Sequence, residues 1–389
     1  MLKNISLLIA SFFISFLLGE AMVRVAVDSD DFLTPLLRAH PQFNTMIAPH
    51  SAGHDRWGFR NDSIPEKPEL LTIGDSFTYG YLASKENTWP SVVGRQTGLT
   101  VYNVSMGGWG PSQYSCAVKV YAPTLKPKFI VFAVYLGNDI GQAATEAYPC
   151  DELDPERISA GSAVLEFADD GPLRGLRTWL ARNSVLYQLI KTRLNESAWF
   201  ANASVAGYPN IFIDSSTGTT VALRIFPQES ATNSKCDLGH GTADHRFDWA
   251  ACDAQFQKGT AIAIERLTNI AGECERIGAT CLTILIPSKE ALYYPLLSNS
   301  VPSNIAGELE HEWRNEQFAA NAIAAAFAQT DMAVVDSGRD LQNAIRAGNE
   351  IFPVSADPHF SPKGYEVVGD LVSAQLKARL VGNPVTAAR

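Results

Sequence analysis

The chain has 389 residues, 46% of them hydrophobic and 19% charged, and a formal net charge of −10. That balance belongs to a globular protein able to bury a large core in one domain or two. It argues against nucleic acid as a partner, which calls for a basic face, and places no bound on a small neutral substrate.

The N-terminus reads "MLKNISLLIASFFISFLLGEAMVRVAV", with Lys3 ahead of an uncharged run from Ile5 to Gly19. A positive start followed by an apolar stretch is the pattern of an export signal. The run is shorter than the roughly 20 residues of a spanning helix, but the residues up to Val27 extend it, with Glu20 and Arg24 near the outer interface. No small-x-small cleavage site is evident, so residues 1–27 are expected to be an uncleaved signal-anchor, with a cleaved signal peptide as the alternative. A buried helix is disfavoured because the run is apolar on every face. Lys3 would stay inside and the rest would face the periplasm or exterior. Residues 28–67 are polar and irregular and are expected to be a linker and lead-in.

From residue 68 strands and helices alternate. "LLTIG" predicts a short buried strand, "TWPSVVGRQTG" a helix ended at Gly98, and "TVYNVS" a second strand. "PSQYSCAVKVYAPTLK" predicts a helix, and "KFIVFAVYLGND" the strongest strand, near-continuously apolar. Residues 141–253 interrupt the rhythm as an insertion or cap subdomain. They hold a helix, "TWLARNSVLYQLIKTRL", and a hairpin around the Ser-Ser-Thr-Gly of "NIFIDSSTGTTVALRIFP". Helix, strand, helix, strand and helix follow in "TAIAIERLTNIAGECERIG", "TCLTILIP", "EWRNEQFAANAIAAAFAQT", "MAVVDS" and "PKGYEVVGDLVSAQLKARL". Strands alternating with helices predict an α/β domain over 68–385, with a mainly parallel sheet covered on both faces.

In such a sheet, ligands bind beyond the carboxyl ends of the strands. Three strands end in polar signatures: Gly74-Asp75-Ser76, "NVSMGGWG" and Gly137-Asn138-Asp139. Asp357 and His359 precede the last helix. These are the parts of an acyl-transfer site. Ser76 supplies a hydroxyl that needs a base, His359 can be that base near neutral pH, and Asp357 can hold its tautomer. Ser76 N–H, the Gly107-Gly108 turn and the Asn138 side chain are candidate donors to an oxyanion. Gly-Asp-Ser alone would read as a turn; the other blocks, each at a strand end, favour the catalytic reading. Asp75 reads as structural and Asp139 as a helix cap.

The pattern resembles the SGNH, or GDSL, hydrolase superfamily in four blocks: "GDSF" with Ser76, "VYNVSMGGWG" with Gly108, "GND" with Asn138, and "DPHFSPKG" with Asp357 and His359. The resemblance covers residues 69–140 and about 280–380. It implies a three-layer α/β/α sandwich with a flavodoxin-like sheet, and serine ester hydrolysis or acyl transfer without a metal or other cofactor. It departs from the usual Asp-x-x-His in having Asp-Pro-His. "DRWGFRN", "TWPSVV" and "IPSKEALYYP" are similar to membrane-anchored or secreted bacterial members, some of which act on acylated polysaccharides. An O-acetyl ester on a carbohydrate is therefore the expected substrate. Trp109, Tyr79 and Phe360, beside the catalytic blocks, could stack on sugar or be core.

Six cysteines in an exported chain permit disulfides, with Cys236–Cys252 the preferred local pair. Cys236, His240, His245 and Cys252 have zinc-ligand chemistry, but their spacing matches no common structural motif, so no metal is expected. Asn195 and Asn202 lie in glycosylation sequons. Two alternatives to an esterase remain at this stage: an O-acyltransferase using the same acyl-enzyme, and a non-catalytic binding protein. Protein partners are not read from the sequence.

Overall fold

The computed structural model describes residues 2–145, 147–160, 173–196, 211–214, 220–223, 249–297, 301, 306–353 and 357–381. In chain order the N-terminal part holds α1 (Leu2–Ala26), β1 (Leu37–His40), β2 (Asn44–Ile47), β3 (Leu70–Gly74), α2 (Ser76–Tyr79), α3 (Trp89–Thr97), β4 (Val101–Ser105), α4 (Pro111–Leu125), β5 (Phe129–Tyr135) and α5 (Asp139–Thr145). Next come α6 (Pro155–Ala160), α7 (Arg174–Asn183), α8 (Val185–Glu196), β6 (Ile211–Asp214) and β7 (Thr220–Leu223). The chain closes with α9 (Trp249–Ile277), β8 (Thr280–Ile286), α10 (Lys289–Leu297), α11 (Ala306–Phe327), β9 (Ala333–Asp336), α12 (Gly338–Arg346) and α13 (Pro362–Leu380).

Five strands form one sheet in the order β4-β3-β5-β8-β9, every pair parallel. Parallel strands are buried on both faces, which is why β3 and β5 are wholly buried and, Thr72 in β3 excepted, near-continuously apolar. Period-two alternation sends Ile130, Phe132 and Val134 of β5 into one core, shared with α4, α9 and α11. Val131, Ala133 and Tyr135 go into the other, shared with α3, α10, α12 and α13. The result is a three-layer α/β/α sandwich. The chain leaves β3 toward β4 on one side and returns to β5 on the other, so the strand order reverses beside β3. A crevice opens at the carboxyl ends of strands at such a point.

Three expectations change. Residues 28–67 are packed rather than a linker: β1 and β2 pair as an antiparallel hairpin, and Phe43, Met46, Ile47, Trp57 and Phe59 join the first core. The expected helix over "TWLARNSVLYQLIKTRL" is two, α7 and α8. It breaks because Asn183 turns its side chain back to the Trp179 carbonyl and Ser184 Oγ accepts from Tyr187 N–H as a cap. Helices α2, α6, α10 and α12 were not predicted. β6 and β7 pair as the expected hairpin; its turn lies outside the described residues.

Disulfides join Cys116 to Cys150 and Cys274 to Cys281. Cys252 is disulfide-bonded, which removes its thiolate from metal ligation. Cys236, His240, His245 and Asn202 lie outside the described residues. In α1, the 21-residue stretch Ser6–Ala26 contains an 18-residue window with a mean hydropathy of 2.0, none of it buried, so the helix is long and apolar enough to cross a membrane.

Candidate active site

The site starts where β3 runs out. Gly74 is required by contact: a Cβ there would meet Thr78 Oγ1 at 2.0 Å. Asp75 then caps α2, accepting from Phe77 N–H at 2.9 Å. This fixes the turn, as its structural reading expected, and leaves Ser76 as the first helical residue at the carboxyl edge of the sheet.

His359 reaches Ser76 from the far end of the chain. Its Nε2 lies 2.9 Å from Ser76 Oγ and its Nδ1 lies 2.8 Å from Asp357 Oδ1. The same Asp357 oxygen accepts the His359 backbone N–H at 2.9 Å. A carboxylate only accepts, so Nδ1 carries the proton and Nε2 presents its lone pair to the serine hydroxyl. The Asp-Pro-His spacing therefore permits a connected triad geometry: the aspartate closes a two-residue turn on the histidine it orients. Phe360 and α13 fix the loop behind. Phe360 meets Phe77 edge-on at 4.9 Å, and Ser361 caps α13 by accepting from Lys363 and Gly364 N–H.

On the other side of Ser76, Trp109 N–H closes a turn on the Met106 carbonyl at 3.2 Å. Gly108 is third in that turn with φ +81°, the left-handed position that favours glycine. A Cβ at Gly108 would meet nothing within 4 Å, so the demand for glycine there is conformational and the space beside it is open. Gly107 is tighter, since its Cβ would meet the Tyr81 ring at 2.7 Å. The loop is pinned by Met106 N–H to the Gly74 carbonyl at 3.3 Å and by Trp109 Nε1 to the Thr45 carbonyl at 3.0 Å. Asn138 follows β5 and is buried, and its side-chain oxygen has no hydrogen-bond partner among the described residues. An unsatisfied buried amide oxygen costs ~1–3 kcal/mol, and such costs concentrate at functional positions. Asp139 is not the helix cap expected of it. It accepts from Tyr135 N–H at 3.0 Å and Tyr114 Oη at 2.9 Å, tying the end of β5 to α4.

The aromatic residues require a correction. Trp109, Tyr79 and Phe360 are 1%, 7% and 0% exposed and offer no open face to a sugar. Trp109 stacks on Phe43, Tyr79 on His54, and Phe360 packs among Phe77, Phe352 and Tyr365. Apolar rings beside a polar site are better used to seal its back. The aromatic at the mouth is Tyr81, 42% exposed and 5.1 Å from the His359 ring. Sequence reading missed it; its signal was a tyrosine directly after Gly80, where α2 ends.

It also missed a brace behind Ser76. Arg60 donates to the carbonyls of Tyr79, Gly80 and Ala83 at 3.2, 3.0 and 2.9 Å and to Asp31 Oδ1 at 2.8 Å. His54 Nδ1–H faces the Ser51 carbonyl at 2.7 Å, so its Nε2 accepts from Tyr79 Oη at 3.0 Å. Burial, with help from the nearby Arg60 charge, pushes the His54 pKa down to about 4. Asp55 accepts from Trp57 and Phe59 N–H and from Tyr102 Oη, holding the segment against β4.

No protein-family model matches the chain, and no curated protein matches it in sequence. Solved structures similar to it include a phospholipase A1 from Streptomyces albidoflavus, at 10% identity over 80% of this chain and 100% of that one, with a TM-score of 0.40. A lipase/acylhydrolase from Enterococcus faecalis matches at 14% identity over 80% and 96%, with a TM-score of 0.33. The native aryl esterase of M. smegmatis matches at 10% identity over 79% and 98%, with a TM-score of 0.35. At these levels no residue role is carried over from them.

Proposed function

We propose that the chain is a serine esterase tethered outside the cytoplasmic membrane by α1. The observation that carries this reading is the connected set Ser76–His359–Asp357, with contacts of 2.9 and 2.8 Å at the carboxyl edge of a parallel sheet. Ser76 Oγ attacks the ester carbonyl carbon while His359 Nε2 takes its proton. Asp357 keeps the imidazole oriented and stabilises the imidazolium. The carbonyl oxygen, now an oxyanion, is met by Ser76 N–H, Gly108 N–H and the Asn138 amide. Collapse breaks the bond to the alkoxide, which leaves with the proton from His359. Water then attacks the acyl-enzyme with its proton going to His359, and Ser76 recovers its own as the acid departs. No step calls for a metal. The favoured substrate is an O-acetyl group on a carbohydrate. The open space at Gly108 leaves room for the acyl group, and Tyr81, partly exposed with its ring 5.1 Å from the His359 ring, is the residue placed to meet the sugar.

The test uses p-nitrophenyl acetate with the full chain and its Ser76→Ala variant. The variant is expected to lose activity by about 10⁴-fold or more while unfolding at the same temperature. Equal rates would remove Ser76 from the reaction.

A further inference from the structure

Helices α7 and α8 form an elbow that the proposed chemistry does not use. It is held against α1 by a specific contact. Glu20 of α1 accepts from Val185 N–H at 3.0 Å, Leu186 N–H at 2.9 Å and Ser184 Oγ at 2.8 Å, so a carboxylate from one helix caps the N-terminus of another. Arg24 pairs with Glu20 at 2.7 Å and donates to the Asn183 carbonyl at 2.7 Å. The elbow therefore meets α1 where its long apolar run ends, and Phe12, Phe13, Leu17 and Leu18 on the run itself are exposed.

The elbow carries its own apolar stripe. Leu176 and Trp179 lie one turn apart on α7, Leu173 immediately precedes the helix, and all three are exposed, Trp179 at 59%; Ile190 of α8 is exposed as well. Its charge is mostly positive: α7 and α8 hold Arg174, Arg177, Arg182, Lys191 and Arg193 against one acid, Glu196, in a chain of net charge −10. A tryptophan and leucines beside clustered cations describe a helix that lies in the headgroup layer of an anionic bilayer. A protein partner of the same charge complementarity would not need the stripe to sit at the end of a membrane-length helix.

We propose that the α7–α8 elbow is a second membrane contact. It docks on anionic lipid headgroups through Leu173, Leu176, Trp179 and the flanking cations, and fixes the domain's tilt relative to α1. The inference rests on the reading that α1 lies in the bilayer, and the test separates the two.

The full chain is labelled with an environment-sensitive fluorophore through Leu17→Cys, Trp179→Cys or Glu265→Cys and reconstituted into vesicles of phosphatidylcholine, with or without phosphatidylglycerol. In mixed vesicles the label at 17 is expected to be blue-shifted and quenched by deep lipid quenchers, that at 179 by shallow ones, and that at 265 by neither. Arg177→Glu with Lys191→Glu, or high salt, is expected to return the signal at 179 toward that at 265 and leave 17 unchanged. A buried label at 17 with a solvent-exposed label at 179 would overturn the elbow contact and spare the anchor. A solvent-exposed label at 17 would overturn the anchor, and the elbow proposal with it. Protection at 179 that follows protein density and ignores phosphatidylglycerol would assign the stripe to a second copy and overturn the lipid reading.

Discussion

Ser76 and Tyr79 occupy opposite ends of the same four-residue helix and look into two different regions. Ser76 meets His359 and Asp357 at the open edge of the sheet. Tyr79 meets His54, with Arg60 beneath the same turn, inside the packed segment of residues 28–67. The open edge holds groups that can change bonds. The packed segment holds groups that can only keep α2 where it is. The proposed reaction needs Ser76 held to a fraction of an ångström, and on that proposal the two regions divide the work between chemistry and position.

Substitutions at the edge should act on rate and not on folding. After Ser76→Ala, the largest effect is expected from Asp357→Asn, a loss of about 10²–10⁴ in kcat with an unchanged unfolding temperature, because the amide favours the wrong imidazole tautomer. Asp357 and His359 are both partly exposed, so solvent screens their charges and the aspartate's value lies in orientation. A kcat within threefold of wild type would mean that the Asp357 contact does not orient the base during turnover.

Substitutions in the brace should do the reverse. The side chains of Arg60 and Asp31 are 8% and 10% exposed, and Arg60 makes four hydrogen bonds around the end of α2. Arg60→Met would leave the Asp31 carboxylate and three carbonyls short of a donor, a change expected to cost about 3–5 kcal/mol of stability. Chemical denaturation measures that loss. Below the new midpoint, kcat toward p-nitrophenyl acetate is expected to fall by less than tenfold. A collapse of kcat with stability intact would erase the division between the two regions.

The edge was legible in the sequence and the brace was not, for a physical reason. Strand ends in a parallel sheet are marked by the switch from apolar to small and polar residues, so Ser76, Gly108, Asn138 and His359 stand out at fixed places in the pattern. Asp75 was read correctly because capping is a local bond to the next residues. Arg60 acts on backbone carbonyls, which every sequence offers, so nothing in the sequence of its partners announces it. The polar stretch that looked like a linker is polar because its polar groups have fixed partners in β4 and in the segment itself: Asp55 meets Tyr102, Asn61 meets Asn103, and Arg60 meets Asp31. The wall of Trp109, Tyr79 and Phe360 failed because nearness in sequence to a catalytic block says nothing about which way a ring points.

The smallest expected effect is a pH dependence that belongs to the brace alone. His54 is buried with its pKa near 4, against an ordinary value of 6.5. Between those values the unfolded chain binds a proton that the folded chain does not, so stability falls as pH drops through this window and is flat, as far as His54 is concerned, above 6.5 and below 4. The shift corresponds to on the order of 3 kcal/mol across the window. His54→Asn has no proton to gain, so its stability deficit against wild type should shrink on acidification from neutral pH and come close to vanishing near the folded pKa. Urea midpoints taken at intervals across the range give the difference directly. Parallel curves for the two proteins would mean that His54 is as easily protonated folded as unfolded, and that the contact between the brace and α2 is wetter than its burial implies.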